Sequence, residues 1–196
     1  MSFTWPSGVI GSVQAETPVA LGSPQTSPLT GSTQGGGSSV IMWSLDLDFP
    51  PVADLAKVRA VRNIFAKAKQ DTVVVQVRQP GFTVGTTGTV VVGSGHVAGT
   101  KTLPISGITS GLALLAGQFI SISTGGRWYL YTLDADSPAG STTRTLTLTS
   151  TTRAAHVSTD PVEIATPWIE GWITPDAISA EPDQHYRFSM SIREAR

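Results

Sequence analysis

The sequence predicts a mainly β protein: a β sandwich or barrel with one flanking α-helix and an inserted small β meander. Three observations predict it. Charged residues are only 14% of the 196, against about 25% in an average soluble domain, and 25 Thr and 21 Ser cover the surface with uncharged hydroxyls instead. Thr also favours strands, because its branched Cβ fits a pleated surface. Second, Ile41, Trp43, Leu45, Leu47 and Phe49 alternate with Met42, Ser44, Asp46 and Asp48, the period of two that marks a half-buried strand. Third, residues 52 to 70 contain no Gly or Pro and are rich in Ala, Lys and Arg, as a helix requires.

Before the alternating strand, residues 1 to 37 hold one short apolar run at Val9 and Ile10 among Pro, Gly, Ser and Thr. They read as strands and an arm joined by loops, ending in Gly35, Gly36 and Gly37, a turn or hinge. Pro50 and Pro51 stop the alternating strand and suit the first turn of the helix that follows. On that helix, 100° per residue brings Val58, Val61, Ile64, Phe65 and Ala68 to one side and Arg59, Arg62 and Lys69 off it. The apolar side is expected on a sheet. The cations are either a solvated face or an inter-subunit or lumen-facing stripe.

Further strands are expected at residues 73 to 77, 87 to 92, 119 to 122, 128 to 133 and 143 to 149, then at 162 to 165, 168 to 173 and 186 to 192, with Gly, Pro, Asp and Ser between them. The closing strand alternates Tyr186, Phe188, Met190 and Ile192 and is expected to pair with the strand from Ile41 to Phe49. The domain division follows. Residues 1–80 plus 151–196 form a core β domain, with a helix about 52–70, and residues 81–150 form an inserted β subdomain.

A formal net charge of −1 without a block of like charges argues against binding duplex nucleic acid or an anionic membrane. Cysteine is absent, which removes disulfides, thiolate chemistry and Cys-based zinc sites. The N-terminus from Met1 to Pro6 lacks the basic start and apolar run of a signal peptide, and no stretch approaches the roughly 20 apolar residues of a membrane span. Synthesis and assembly in the cytoplasm are the expectation.

Several motifs touch known chemistry and fail its context. Gly93-Ser94-Gly95-His96-Val97-Ala98 follows a Val run like a dinucleotide fingerprint, but that site needs a helix N-terminus and an acid about 20 residues on, and the next acid is Asp134. Gly99-Thr100-Lys101-Thr102 fails as a phosphate loop. Asp134, Asp136 and Gly140 lack the closing Glu of a calcium loop. Asp46 and Asp48 share a strand face, as many solvated carboxylates do. His96, His156 and His185 lack the spacing that pairs two imidazoles on a helix, and no Gly-x-Ser-x-Gly elbow occurs. No catalytic residue, cofactor or metal is predicted, and the chain is read as no enzyme.

Five tryptophans remain. Trp43 and Trp128 fall in strand patterns and are expected in the core. Trp168 and Trp172, four apart around Gly171, are either an exposed interface anchor or core.

Four pieces taken in order resemble the distal tail proteins of long-tailed bacteriophages. They are Ser27-Pro28-Leu29-Thr30-Gly31-Ser32-Thr33-Gln34; Trp43-x-Leu45-Asp46-Leu47-x-Phe49-Pro50-Pro51 into a helix ending in Phe65; Val75-Gln76-Val77-x-Gln79-Pro80-Gly81; and the block from Gly117-Gln118-Phe119 through Tyr129-Leu130-Tyr131 and Thr145-Leu146-Thr147-Leu148 to Val162-Glu163-Ile164-x-x-Pro167. The resemblance implies a structural virion protein at the tail tip or baseplate. In that role it would form a ring hexamer with copies of itself and join the tail tube protein to the tip or baseplate hub proteins. It would be made in the host cytoplasm, with DNA met only in passage through the channel and no membrane insertion. The alternatives are a carbohydrate- or receptor-binding β module of the tail and a tail-tube or terminator subunit.

Overall fold

The structure, a computed structural model, describes residues 2–20, 25–26, 30, 33–34, 40–79, 81–82, 85–180 and 185–195. The glycine run at 35–37, most of the Ser27–Gln34 piece and Pro80 lie outside the described residues.

In chain order the elements are β1 (Phe3–Thr4), β2 (Gly11–Ala20), β3 (Gln25–Thr26), β4 (Thr33–Gln34), β5 (Ile41–Val52), α1 (Leu55–Lys67), β6 (Val73–Arg78), β7 (Val91–Val92), β8 (Thr102–Ser106), β9 (Phe119–Thr124), β10 (Arg127–Thr132), β11 (Thr143–Thr147), β12 (Val162–Glu163), β13 (Trp168–Ala180) and β14 (Tyr186–Glu194). Among the described residues the protein is mainly β with one helix. β3 and β4 pair with each other.

The main sheet runs β1-β6-β13-β14-β5-β2, and β2 also pairs with β6. That last contact, Gly11 and Ser12 beside Val77 and Arg78, turns the sheet into a closed barrel and leaves few ladder groups unpaired. β14 pairs antiparallel with β5 from Arg193 opposite Ser44 to Tyr186 opposite Val52, so the closing strand lies where its alternation placed it. Leu45, Leu47, Phe49, Phe188, Met190 and Ile192 fill the interior together with Val73, Val75 and Val77 of β6.

Two local readings are corrected. The prolines do not end β5. The register with β14 shifts between Tyr186 and Phe188, so Pro50 and Pro51 together face only Arg187, and a bulge tolerates residues that cannot donate. The helix starts later, at Leu55, where the Asp54 carboxylate accepts the Ala56 N–H at 2.8 Å as an N-cap. Its buried residues are those of the expected apolar stripe, Val58, Val61, Ile64, Phe65 and the cap residue Ala68. Trp5 stacks on Phe49 and leans on Phe65, joining helix to barrel. Each such large side chain contributes roughly 1.5–3 kcal/mol of burial.

The insert has its own core, from Val90 to Ile164. It is larger than the expected 81–150, because β12 pairs with β9 and Val162 and Ile164 pack with the insert rather than with the main barrel. It is also not a meander. Sheets β10-β9-β12 and β11-β8-β7 are joined by bridges at Leu133–Leu148 and Val91–Pro161, which close a second small barrel. β8 has no counterpart among the expected strands, since Pro104 speaks against one. Its carbonyl accepts from Gly93, just past the end of β7, so the donor it lacks falls where that ladder stops.

Candidate functional site

The two barrels meet along β10, whose outer edge is capped by side chains rather than by a strand. Glu170 of β13 accepts the Trp128 N–H at 2.9 Å, and Glu194 of β14 accepts the Leu130 N–H at 2.9 Å. The Arg153 Nη2 donates to the Leu130 carbonyl at 3.0 Å and to Glu194. Glu194 also accepts from the Trp43 N–H of β5 at 3.1 Å. Nearby, Gln79 accepts the Phe119 N–H at 2.6 Å and donates to the Phe119 and Ile164 carbonyls. Each of these buried polar groups satisfies backbone that would otherwise lose a hydrogen bond on leaving water.

From Arg153 a hydrogen-bond chain runs into the insert. The Arg153 N–H donates to the Tyr131 hydroxyl at 3.1 Å, which lies 3.2 Å from His156 Nε2. His156 Nδ1 lies 2.6 Å from the Thr124 hydroxyl, which donates to Asp160 at 2.6 Å. Thr124 has one proton and gives it to Asp160, so Nδ1–H must donate to Thr124. A neutral imidazole then accepts at Nε2, from Tyr131. Burial pushes His156 down to about 4, with Asp160 opposing and His96 and Arg153 reinforcing the shift. Burial raises Tyr131 and lowers His96.

The sequence spacing pairs no histidines, and the fold joins two of them. His96 and His156 form an antiparallel bridge with hydrogen bonds of 2.7 and 2.9 Å, their rings parallel at 6.3 Å. A matching bridge joins Leu114 to Ser137. Each bridge residue opens a similar four-residue turn: His96-Val97-Ala98-Gly99, Leu114-Leu115-Ala116-Gly117, Ser137-Pro138-Ala139-Gly140 and His156-Val157-Ser158-Thr159. This short repeat was the available signal for the pairing. Its second residue stays exposed, 73% at Val97, 61% at Val157 and 49% at Leu115. Its fourth is Gly99 at φ 89° and Gly117 at φ 80°, but Thr159 at φ 84°, a strained backbone for a branched residue.

A cavity of about 500 Å³ opens at the junction, lined by Met42, Ala98, Tyr129, Thr152 and Arg153 among others. Met42, expected on the solvent face of β5, is buried there because the insert covers that face. The Arg153 guanidinium sits over the Tyr129 and Tyr131 rings, 5.6 and 5.2 Å from their centroids.

The interface candidates separate. Trp172 is 51% exposed on the outer wall of β13, while Trp168 is half-buried and stacks on Trp128 at 5.6 Å, so the two do not make one platform. Trp43 is half-buried, edge-on to Phe119. Arg59, Arg62 and Lys69 are exposed, with Arg62 over Tyr186. Asp46 accepts from Ser191 at 2.6 Å, and Asp48 lies in a cleft of about 230 Å³ with Arg78 and Arg187. The glycines at 93 and 95 lead to β8, not to a helix. Among the described residues no group of three or more His, Asp or Glu is placed to hold a metal ion, and no helix is long and apolar enough to cross a membrane.

No family model matches this chain, and no curated protein matches it.

Proposed function

We propose that this chain is a non-enzymatic structural virion protein that forms a ring at the distal end of a bacteriophage tail. The ring, a hexamer, joins the tail tube to the tip or baseplate hub, and the genome passes through its channel. The observation that carries the reading is where the reactive and sticky groups lie. Glu170, Glu194, Gln79 and Arg153 at the junction bond backbone, while large apolar side chains exposed among the described residues, Leu55 at the start of α1 and Val97, Leu115, Val157 and Trp172 on the barrels, face outward. Exposed apolar anchors suit mating with other proteins, and a subunit whose mating surfaces differ closes head to tail into a ring. The four-piece resemblance supports the same role.

Light scattering of the purified chain tests it. Six copies of the 20.5 kDa chain give a closed species of about 120 kDa, and micrographs should contain rings. A strictly monomeric species at high concentration counts against the proposal, and filaments favour a tube subunit. The half-buried Trp128–Trp168 stack supports a second reading as a carbohydrate-binding module of the tail. Glycan-array binding that is lost on Trp128→Ala or Trp168→Ala favours it, and absence of binding dismisses it.

A further inference from the structure

The chain from Arg153 to Asp160 runs in one direction, and this makes the junction sensitive to acid. We propose that protonating His156 loosens the insert from the main barrel, by reversing its bond with Tyr131 and so weakening the grip of Arg153 and Glu194 on Leu130, while both cores stay folded.

The direction of the chain follows from its donors and acceptors. At neutral pH every link has one donor and one acceptor: Arg153 N–H to Tyr131, Tyr131 O–H to His156 Nε2, Nδ1–H to Thr124, Thr124 O–H to Asp160. A second ring proton puts a donor at Nε2 facing the Tyr131 O–H. Tyr131 must then turn its proton away and accept from both His156 and Arg153, at a position the protein buries fully. A buried donor without an acceptor is costly, and the strain is relieved when the Tyr131 side chain moves to find its hydroxyl an acceptor, away from the Arg153 backbone N–H.

The groups facing His156 set the balance. Tyr129 and Tyr131 of β10 stand edge-on to it at 5.8 and 5.9 Å, Thr124 ends β9, and His96 lies parallel across the bridge. Asp160 attracts the added charge, whereas Arg153 and His96 repel it. Movement of Tyr131 disturbs the Arg153 guanidinium stacked over its ring and so the pairing of Arg153 with Glu194, which holds Trp43 of the barrel and Leu130 of the insert at once. The event therefore propagates across the junction and not merely within the insert.

Amide hydrogen exchange on the full chain tests this. The reporters are Trp43, Leu130 and Arg153, whose N–H groups donate to side chains of this network; ladder amides within β9 and β13 serve as controls. After correction for intrinsic rates, the reporters should lose protection by about tenfold or more between pH 7 and pH 4.5, while the controls hold. His156→Gln, neutral throughout, should keep reporter protection at pH 4.5. Unchanged reporters in the parent overturn the proposal, as does a loss of protection in His156→Gln at the same pH, which assigns the effect to carboxylates. Should His156→Gln not fold, nitrogen chemical shifts of the parent's His156 decide: the Nδ1–H tautomer at pH 7, with protonation tracking reporter exchange, is expected, and the Nε2–H tautomer overturns the proposal.

Discussion

Arg153 and Glu194 together occupy the place of a neighbouring strand beside Leu130. One donates to its carbonyl and the other accepts from its N–H, so an ion pair completes both backbone bonds at the edge of β10. Glu194 is only 3% exposed, and a charge there is tolerable because it is paired and hydrogen-bonded.

Breaking that pair should be expensive. Glu194→Ala or Arg153→Ala is expected to destabilise by about 3–5 kcal/mol, since either strands a buried charge. The double replacement Arg153→Ala with Glu194→Ala should lose less than the sum of the two single changes, because the partners are coupled. Urea unfolding of the four proteins measures this; additivity would show that the pair does not act as a unit.

Gln79 performs the same service for Phe119 through a neutral amide. Gln79→Ala leaves the Phe119 N–H and two carbonyls unpaired in a buried setting and should cost about 1–3 kcal/mol. Denaturant midpoints check it.

Thr159 stands at φ 84° where all three sister turns have glycine, two of them at φ 80° and 89°. Thr159→Gly should therefore raise stability, or leave it unchanged, with a gain of up to about 1 kcal/mol. Thermal unfolding decides, and a clear loss would mean that the Thr159 side chain makes a contact outweighing the strain.

Trp172 should matter to assembly and not to folding. Trp172→Ala is expected to shift stability by no more than about 0.5 kcal/mol, as exposed substitutions do. It should also weaken the oligomer in light scattering. An unchanged oligomer removes Trp172 from the interface.

Stability should also fall in acid through His156. The unfolded imidazole titrates near 6.5 and the folded one near 4, so the folded state resists the proton. The contribution is full above pH 6.5 and is lost as pH falls toward 4, amounting to about 3 kcal/mol at most. Unfolding of the parent and of His156→Gln at pH 7.5 and 4.5 should show a smaller acid loss in the variant.

Some of this was legible in the residues. The alternation from Leu45 to Phe49 and from Phe188 to Ile192 named the inward faces of β5 and β14, and the helical stripe from Val58 to Ala68 named the buried side of α1. Periodic burial leaves such a trace because one face of each element meets a single environment along its length. Where environment changes along an element, the trace fails. Met42 and Trp43 break the rule of β5 because the insert covers its outer face there, and Pro50 and Pro51 stay in the strand because a bulge excuses them.

The chain's own order of residues thus determined the strand and helix faces, the lack of thiol chemistry and the low charge of the surface. Only tertiary structure decided that β2 closes a barrel on β6, that His96 meets His156 sixty residues on, and that Arg153 and Glu194 clasp Leu130. Those relations join segments far apart in sequence, through hydrogen bonds whose geometry no local pattern encodes. They exist only once both barrels have packed and water has left the space between them.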